Sequence, residues 1–208
     1  LPKAVEAVMG VVDVPLCIDI NNPAALKETL RIYEGKAIIN SVSGEEKSLN
    51  EVLPLVKEHG TAVIGLTIDD KGIPKTIGKR LEIAHKIVER AEAVGIPRED
   101  IIIDCLALSL GSDDQAGLAT LEAIQRVKTE LGVNQTLGAS NISFGLPDRP
   151  LVNKSFLALA IGAGVTCPTV DAAKVRSTIA AIDLILGRDR FSQRFIKEYR
   201  RRQAEFGE

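Results

Sequence analysis

Six times along this chain a short apolar run gives way to a longer amphipathic stretch, and each apolar run closes on Asp or Asn. The runs lie at 15–20 (PLCIDI), 36–40 (KAIIN), 61–68 (TAVIGLTI), 101–105 (IIIDC), 136–142 and 165–170. The stretches between them carry helical spacing at 23–33, 48–59, 77–94, 114–131, 151–162 and 173–186. An amphipathic tail at 1–12 precedes the series and a basic helix at 192–205 follows it. Local punctuation agrees. Asn22 before Pro23 is a helix start, Gly35 and Gly60 are stops, Gly95 and Pro97 end the long third helix, and 71–76 (KGIPKT) is a loop. Strict alternation of strand and helix predicts a parallel sheet covered by helices. Continuous apolar strands are what such a sheet needs when both faces are buried.

The polar residues at the strand ends narrow the fold further. Asp19, Asn40, Asp69, Asp104, Asn141 and Asp171 all fall at or near the C-terminal end of a predicted strand. A carboxylate there is unfavourable unless it meets solvent or a partner. Any one of them reads equally well as a helix cap. Six together predict one polar mouth, as in a TIM-type (β/α)8 barrel with its site at the C-terminal face. The expected fold is therefore α/β, with a single barrel domain spanning 1–208.

Composition excludes more than it assigns. Lys and Arg number 26 against 28 Asp and Glu, a formal charge of -2, which gives no footprint for nucleic acid. The basic cluster Arg188, Arg190, Arg194, Lys197 and Arg200 to Arg202 reads as a solvated helix face. Cys17, Cys105 and Cys167 show no metal spacing, and an odd count argues against a disulfide framework. Each is read as a buried structural thiol in a reducing, cytoplasmic setting. No apolar run reaches the length of a membrane span, so no membrane partner is expected. The chain begins at Leu1, not at Met.

The strand-end set is a poor acid–base machine. The two histidines, His59 and His85, lie on predicted helices, and the strands carry no Ser-His-Asp set, metal triad or Schiff-base Lys. An oxygen-lined mouth can hold a hard cation. It can also bind a flat, donor-rich heterocycle, since a carboxylate matches the adjacent N–H and NH2 groups of a guanidine-like ring such as a pterin. The latter suits a cofactor that carries its own chemistry. The stretch 137–149 (LGASNISFGLPDR) is the most informative, because Ser140 and Asn141 stand where an inward strand meets the rim. An Asn there offers one acceptor and two donors, or it satisfies loop backbone.

The segments PLCIDINN, KAIINSVSGE, GLTIDDKGIPKT, GIPREDIIID and LGASNISFGLPDRPLVNKSFLALAIGAG, with the following TVDA, resemble the pterin-binding methyltransferases. That family is related in fold to dihydropteroate synthase. It includes the methyltetrahydrofolate:corrinoid/iron-sulfur protein methyltransferases and the folate domain of cobalamin-dependent methionine synthase. The resemblance runs from about residue 15 to residue 172, and the G-x-S-N-x-S-x-G run at 138–145 is its most specific part. It implies that Asp19, Asn40 and Asp104 hold the pterin ring. It places Asn141, as the catalytic group, on N5, the atom that carries the methyl group. Arg149 would lie near the pterin and shape the site. No metal ligand is implied. The implied reaction moves a methyl group from N5 of methyltetrahydrofolate to Co(I) of a corrinoid (cobalamin-type) cofactor on a partner corrinoid (iron-sulfur) protein, with folate as the small-molecule partner and a homodimer as one assembly.

The chain departs from the family pattern in two places. Cys105 follows Asp104 where the family has Pro. PLCIDI aligns with the family's third strand, so the expectation is six βα units, strands three to eight, in an N-terminally incomplete barrel. Three other readings stay open. A dihydropteroate synthase-like enzyme would carry a Ser-x-Arg-His signature near the last strand, where this chain reads TCPTVDAAK. A non-catalytic folate-binding barrel would bind without turnover. A metal-dependent lyase or aldolase would use the Asp cluster.

Overall fold

The computed structural model describes residues 1–74 and 76–206, so Lys75 in the expected 71–76 loop lies outside it. The described chain holds eight α-helices and five strands, which alternate as far as α6: α1 (Pro2–Met9), β1 (Cys17–Asp19), α2 (Pro23–Ile32), β2 (Ile38–Ser43), α3 (Glu46–His59), β3 (Ala62–Leu66), α4 (Ile77–Ala93), β4 (Ile101–Asp104), α5 (Ala116–Glu130), β5 (Asn134–Thr136), α6 (Arg149–Ala163), α7 (Ala172–Ile185) and α8 (Gln193–Phe206). The boundary signals act as their chemistry dictates. Asn22 Oδ1 accepts from Ala25 N at 3.1 Å, with Pro23 opening α2. Gly60 ends α3 at φ 61, in the left-handed region that glycine enters without penalty.

All five strands are parallel and pair in chain order, β1-β2-β3-β4-β5. The two faces of the sheet are chemically different. Ile18, Ile39, Val63, Ile101 and Ile103 point to the helices and join the main core, with Leu49, Leu53, Ile87, Ile124 and Leu157 among the helical partners. On the other face Ile38, Ala62, Ile64, Leu66 and Ile102 form a separate small cluster. That face is the inner side of the barrel arc. Within α6, Phe156, Leu157, Ala160, Ile161 and Ala163 are buried against the core, while Leu159 is exposed. The apolar run at 156–164 thus packs mainly inside its own chain.

The fifth and sixth expected strands differ from what is seen. Pairing of β5 begins at Asn134 and stops at Thr136, after which residues Ala139–Ser143 form a 3-10 turn. The polar start is tolerated because both side chains find partners. Asn134 Nδ2 donates to Glu99 O at 3.0 Å, and the buried Gln135 donates from Nε2 to Ile124 O at 3.1 Å. The early stop follows from β4, which ends at Asp104 and offers no ladder beyond Thr136. The sixth run, 165–170, stays beside β5 but makes only the isolated parallel bridge Gly138↔Thr169. Thr166 N and Cys167 N both reach Gln135 O, at 3.0 and 3.1 Å, which compresses the spacing, and Pro168 has no N–H to give. The ladder is interrupted there although the chain continues to follow the arc.

The C-terminal basic run forms α8, which docks on α7 through a buried acid. Glu198 is 6% exposed and meets Arg201 at 2.8 Å, Arg176 at 3.1 Å and Ser177 Oγ at 2.8 Å. No helix among the described residues is long and apolar enough to cross a membrane.

Close packing of α4 on the sheet depends on Gly65. A Cβ built there would fall 2.7 Å from Ile87 Cγ2 and 3.2 Å from Ile103 Cδ1. Overpacking of this kind costs about 1–3 kcal/mol. Gly65→Ala is therefore expected to lower the urea midpoint by that much free energy with an unchanged m-value. A midpoint equal to wild type would show that the β3–α4 contact is loose.

Candidate functional site at the C-terminal end of the sheet

Register decides which strand-end residues share a face. Asp19 pairs with Asn40, Asn40 with Ile64, and Ile64 with Ile102. Asp104 pairs with Leu66 on one side and Thr136 on the other. Residues paired across a parallel ladder project to the same side, so Asp19, Asn40 and Asp104 all lie on the inner face, the face of the Ile64–Ile102 cluster. Asp104 is one inward step further along than the row through Asn40, the stagger that a curving barrel sheet requires. After Asn40 the register shifts so that Val42 pairs with Gly65, and the Asn40–Ser41 peptide is cis.

The other expected strand-end residues are placed differently. Asn141 lies on no strand but in the 3-10 turn beyond β5. Asp69 organises the loop after β3: its Oδ1 accepts from Lys71 N at 3.0 Å, and Lys79 Nζ lies 3.8 Å from Oδ2. Asp171 stands at the N-cap of α7 and pairs with Lys174 at 2.9 Å. Both serve local structure at the rim.

Asp104 and Asn141 nevertheless meet. They line one cavity of about 300 Å³, together with Leu106, Ser109, Gly138 and Phe144. Two loops are stitched together to make it. Leu110 N donates to Ile142 O at 2.9 Å, and Ser109 Oγ donates to Phe144 O at 2.5 Å. Gly111 lets the loops approach, since a Cβ there would lie 2.7 Å from Phe144 O. Gly138 does the same for the amide, because its Cβ would stand 3.0 Å from Asn141 Nδ2. Asp19 and Asn40 are neighbours across the sheet and do not line this cavity.

Arg149 holds the turn that carries Asn141. Its Nε donates to Ser143 Oγ at 3.0 Å and its Nη2 to Ser140 O at 3.0 Å, and its guanidinium lies 5.7 Å from the Phe144 ring centroid. It lines a neighbouring cavity of about 400 Å³ between α6 and α7. Leu106, Ser109 and Phe144 carry no sequence signal that marks them as cavity walls. The G-x-S-N-x-S-x-G run did mark the Phe144 loop, but only the fold shows which loop faces it.

The carboxylate of Asp104 is poised. Burial pushes its pKa up to about 6, against the pull of the Leu106 N–H, which donates to Oδ1 at 2.7 Å. The carboxylate is half-buried at the cavity wall, where a matched donor pair meets less competition from water than on an open surface. The Cys105 thiol beside it is driven to about 12, by burial first and then by Asp104, and stays protonated. Cys17 and Cys167, expected as buried structural thiols, are both exposed; partial desolvation, then Asp19 and then Cys167, still raises the Cys17 thiol. Among the described residues no group of three or more His, Cys, Asp or Glu side chains is placed to hold a metal ion.

The arc of parallel strands with helices on its outer face is a partial (β/α) barrel, and solved structures share this fold. Dihydropteroate synthase from Coxiella burnetii with pteroic acid superposes with a TM-score of 0.71 at 18% identity, covering 89% of this chain and 73% of that one. The Xanthomonas albilineans synthase with 7,8-dihydropteroate gives 0.71 at 17%, covering 89% and 72%. These establish the fold. The sequence profile of the pterin binding enzymes matches residues 1–171. The methylcorrinoid:tetrahydrofolate methyltransferase of Eubacterium limosum is 32% identical over 202 residues, 94% of this chain and 74% of that protein. Methionine synthase of Mycobacterium leprae is 32% identical over 197 residues, which is 85% of this chain but only 16% of that much longer protein. The chain belongs to the pterin-binding methyltransferase family.

A raised carboxyl pKa has a stability consequence of definite sign. The native pKa of Asp104, about 6, lies above the ordinary value of 3.8, so the native state binds that proton more tightly than the unfolded chain. Stability is therefore greatest below both values and falls as pH rises through 6, by roughly 3 kcal/mol at most. Asp104→Asn keeps the shape and the acceptor for Leu106 N–H. It is expected to raise the stability of the ligand-free protein by about 1–3 kcal/mol at pH 8, with no gain at pH 4. Thermal unfolding across that range checks this, and a difference independent of pH would refute the burial assignment.

Proposed function

We propose that this chain catalyses methyl exchange between N5 of tetrahydrofolate and the cobalt of a corrinoid carried by a partner protein. Written in one direction, the methyl group passes from methyltetrahydrofolate to Co(I). The observation that carries the reading is the single cavity on which the Asp104 carboxylate and the Asn141 amide converge. The family relationship supports it, since the Eubacterium limosum relative is named for methyl transfer between a methylcorrinoid and tetrahydrofolate. That name runs in the opposite direction. A site complementary to the transition state lowers the barrier equally both ways, and the direction follows from the supply of reactants.

In this reading Asp104 accepts from the adjacent N–H and NH2 groups of the pterin. Asp19 and Asn40, side by side on the inner face, complete the ring's polar surroundings. Asn141 acts on N5. A tertiary amine is a poor leaving group: as the N5–CH3 bond breaks and the methyl group bonds to cobalt, N5 takes up a proton from solvent and leaves as the secondary amine, and a hydrogen bond that strengthens as charge changes at N5 eases the step. Arg149 contributes by fixing the turn on which Asn141 rides. Co(I) is the nucleophile and belongs to the second substrate, so the chain needs no nucleophile of its own.

Assay of methyltetrahydrofolate with cob(I)alamin, alongside calorimetric folate binding, tests the division of labour. Asn141→Ala is expected to cut the transfer rate about 100-fold while leaving folate affinity within about three-fold of wild type, because its bond matters most in the transition state. Equal losses in both would contradict that role. Asp104→Asn is expected to act the other way, weakening folate binding itself by about ten-fold or more, since a pure acceptor becomes a mixed donor and acceptor. Unchanged affinity would remove Asp104 from the pterin site.

A further inference from the structure

Arg80, in the first turn of α4, is 3% exposed. Its partners among the described residues are all main-chain carbonyls. Nε donates to Pro74 O at 3.1 Å, and Nη1 donates to Cys105 O at 3.1 Å and Leu106 O at 3.2 Å. Taking a guanidinium out of water is costly, and an apolar residue of similar volume would fill the space more cheaply. The carbonyls it grips belong to the turn that leaves β4 for the cavity. In that turn Leu106 has φ 60, a left-handed conformation that a bulky residue seldom adopts and that persists only where its surroundings enforce it. Thr120 Oγ1 adds a longer bond to Leu106 O at 3.4 Å. The outcome of this conformation is the 2.7 Å bond from Leu106 N–H to Asp104 Oδ1.

We propose that Arg80 is a positioning residue for the site: by gripping the carbonyls of Cys105 and Leu106 it holds Leu106 left-handed, keeps its N–H on the Asp104 carboxylate, and so fixes how Asp104 faces the cavity. The consequence for ligand binding rests on the reading of Asp104 given above, whereas the effect on Asp104 itself does not. Arg80 comes from α4, Asp104 from the end of β4, Cys105 from the turn just after it, and Asp113 lies ahead of α5; these are the titratable and charged groups that act on one another at the turn. The β3 and β5 partners of Asp104 are the uncharged Leu66 and Thr136. Loss of the Leu106 bond leaves the desolvation of Asp104 unopposed.

The test is a carboxyl 13C NMR titration of Asp104 in the ligand-free full chain, paired with calorimetric tetrahydrofolate binding. In Arg80→Met the Asp104 midpoint is expected to rise by about one unit. Folate affinity is expected to fall about ten-fold. Adding Leu106→Asn to that variant is expected to restore much of both, because Asn enters the left-handed region with less strain and no longer needs the clamp. A merely structural Arg80 would lower the melting temperature without moving the midpoint, and Leu106→Asn would restore nothing. Should Arg80→Met fail to fold, Arg80→Lys keeps the charge without the fork and is expected to shift the midpoint in the same direction. An Asp104 midpoint equal to wild type in the folded variant overturns the proposal. A shifted midpoint with unaltered folate affinity upholds it and counts instead against Asp104 as a folate ligand.

Discussion

Parallel pairing in chain order is the constraint on which the rest of this structure depends. Because β1 to β5 run the same way and neighbour one another in sequence, every strand ends on the same side of the sheet. Because the side-chain period of a strand is two, a fixed register sends Asp19, Asn40 and Asp104 to one face together. A slip of one residue at β4 would turn Asp104 into the helix-facing core and bring Ile103 to the mouth. The apolar contacts that prevent such a slip are those of Ile101 and Ile103, both fully buried. The site thus inherits its geometry from the core on the opposite side of the sheet.

The fold was largely legible in the sequence for this same reason. Strand and helix types, the terminators Gly60 and Gly95, and the inward polar ends of β1, β2 and β4 are consequences of local pattern. The exceptions have local causes of another kind. Apolar runs at 136–142 and 165–170 look like strands, yet a strand needs a neighbour with free N–H and C=O groups, and β4 ends too soon while Pro168 withholds a donor. Asn134 and Gln135 look like a loop, yet Glu99 O and Ile124 O satisfy them in place. Tertiary partners decided both, and no window of sequence contains them. The candidate site divides in the same way. Asp104 and Asn141 could be nominated by position, but their sharing of a cavity depends on the contact between the 106–111 loop and Phe144. Arg80 carried no signal at all, since an Arg in the first turn of an amphipathic helix ordinarily faces water.

Several features around Asp104 work against stability. The carboxylate is desolvated, the guanidinium of Arg80 is buried, and Leu106 is left-handed. The adjoining core is conventional, with aliphatic side chains from α3, α4, α5 and α6 closing over one sheet face. Local rules are broken in one place and obeyed around it, as expected where a fold carries a site. The same contrast separates Asp104 from Asp69 and Asp171, which sit at comparable strand ends but are partnered by exposed lysines and backbone.

Phe144, at the lip of the cavity, is 69% exposed, and Asn141 beside it is open to solvent as well. An enzyme that handles both reactants alone would draw a loop over such a mouth to exclude water. For the exchange proposed here a cover would be an obstacle, because a corrinoid borne by another protein would have to reach the atom assigned to Asn141 in that proposal. On that proposal the chain would supply one wall of the reaction chamber and the docked protein the other. Dielectric and water content at the moment of transfer would be properties of the encounter complex, and an aromatic ring left at the lip would be the first surface for the incoming partner to dry.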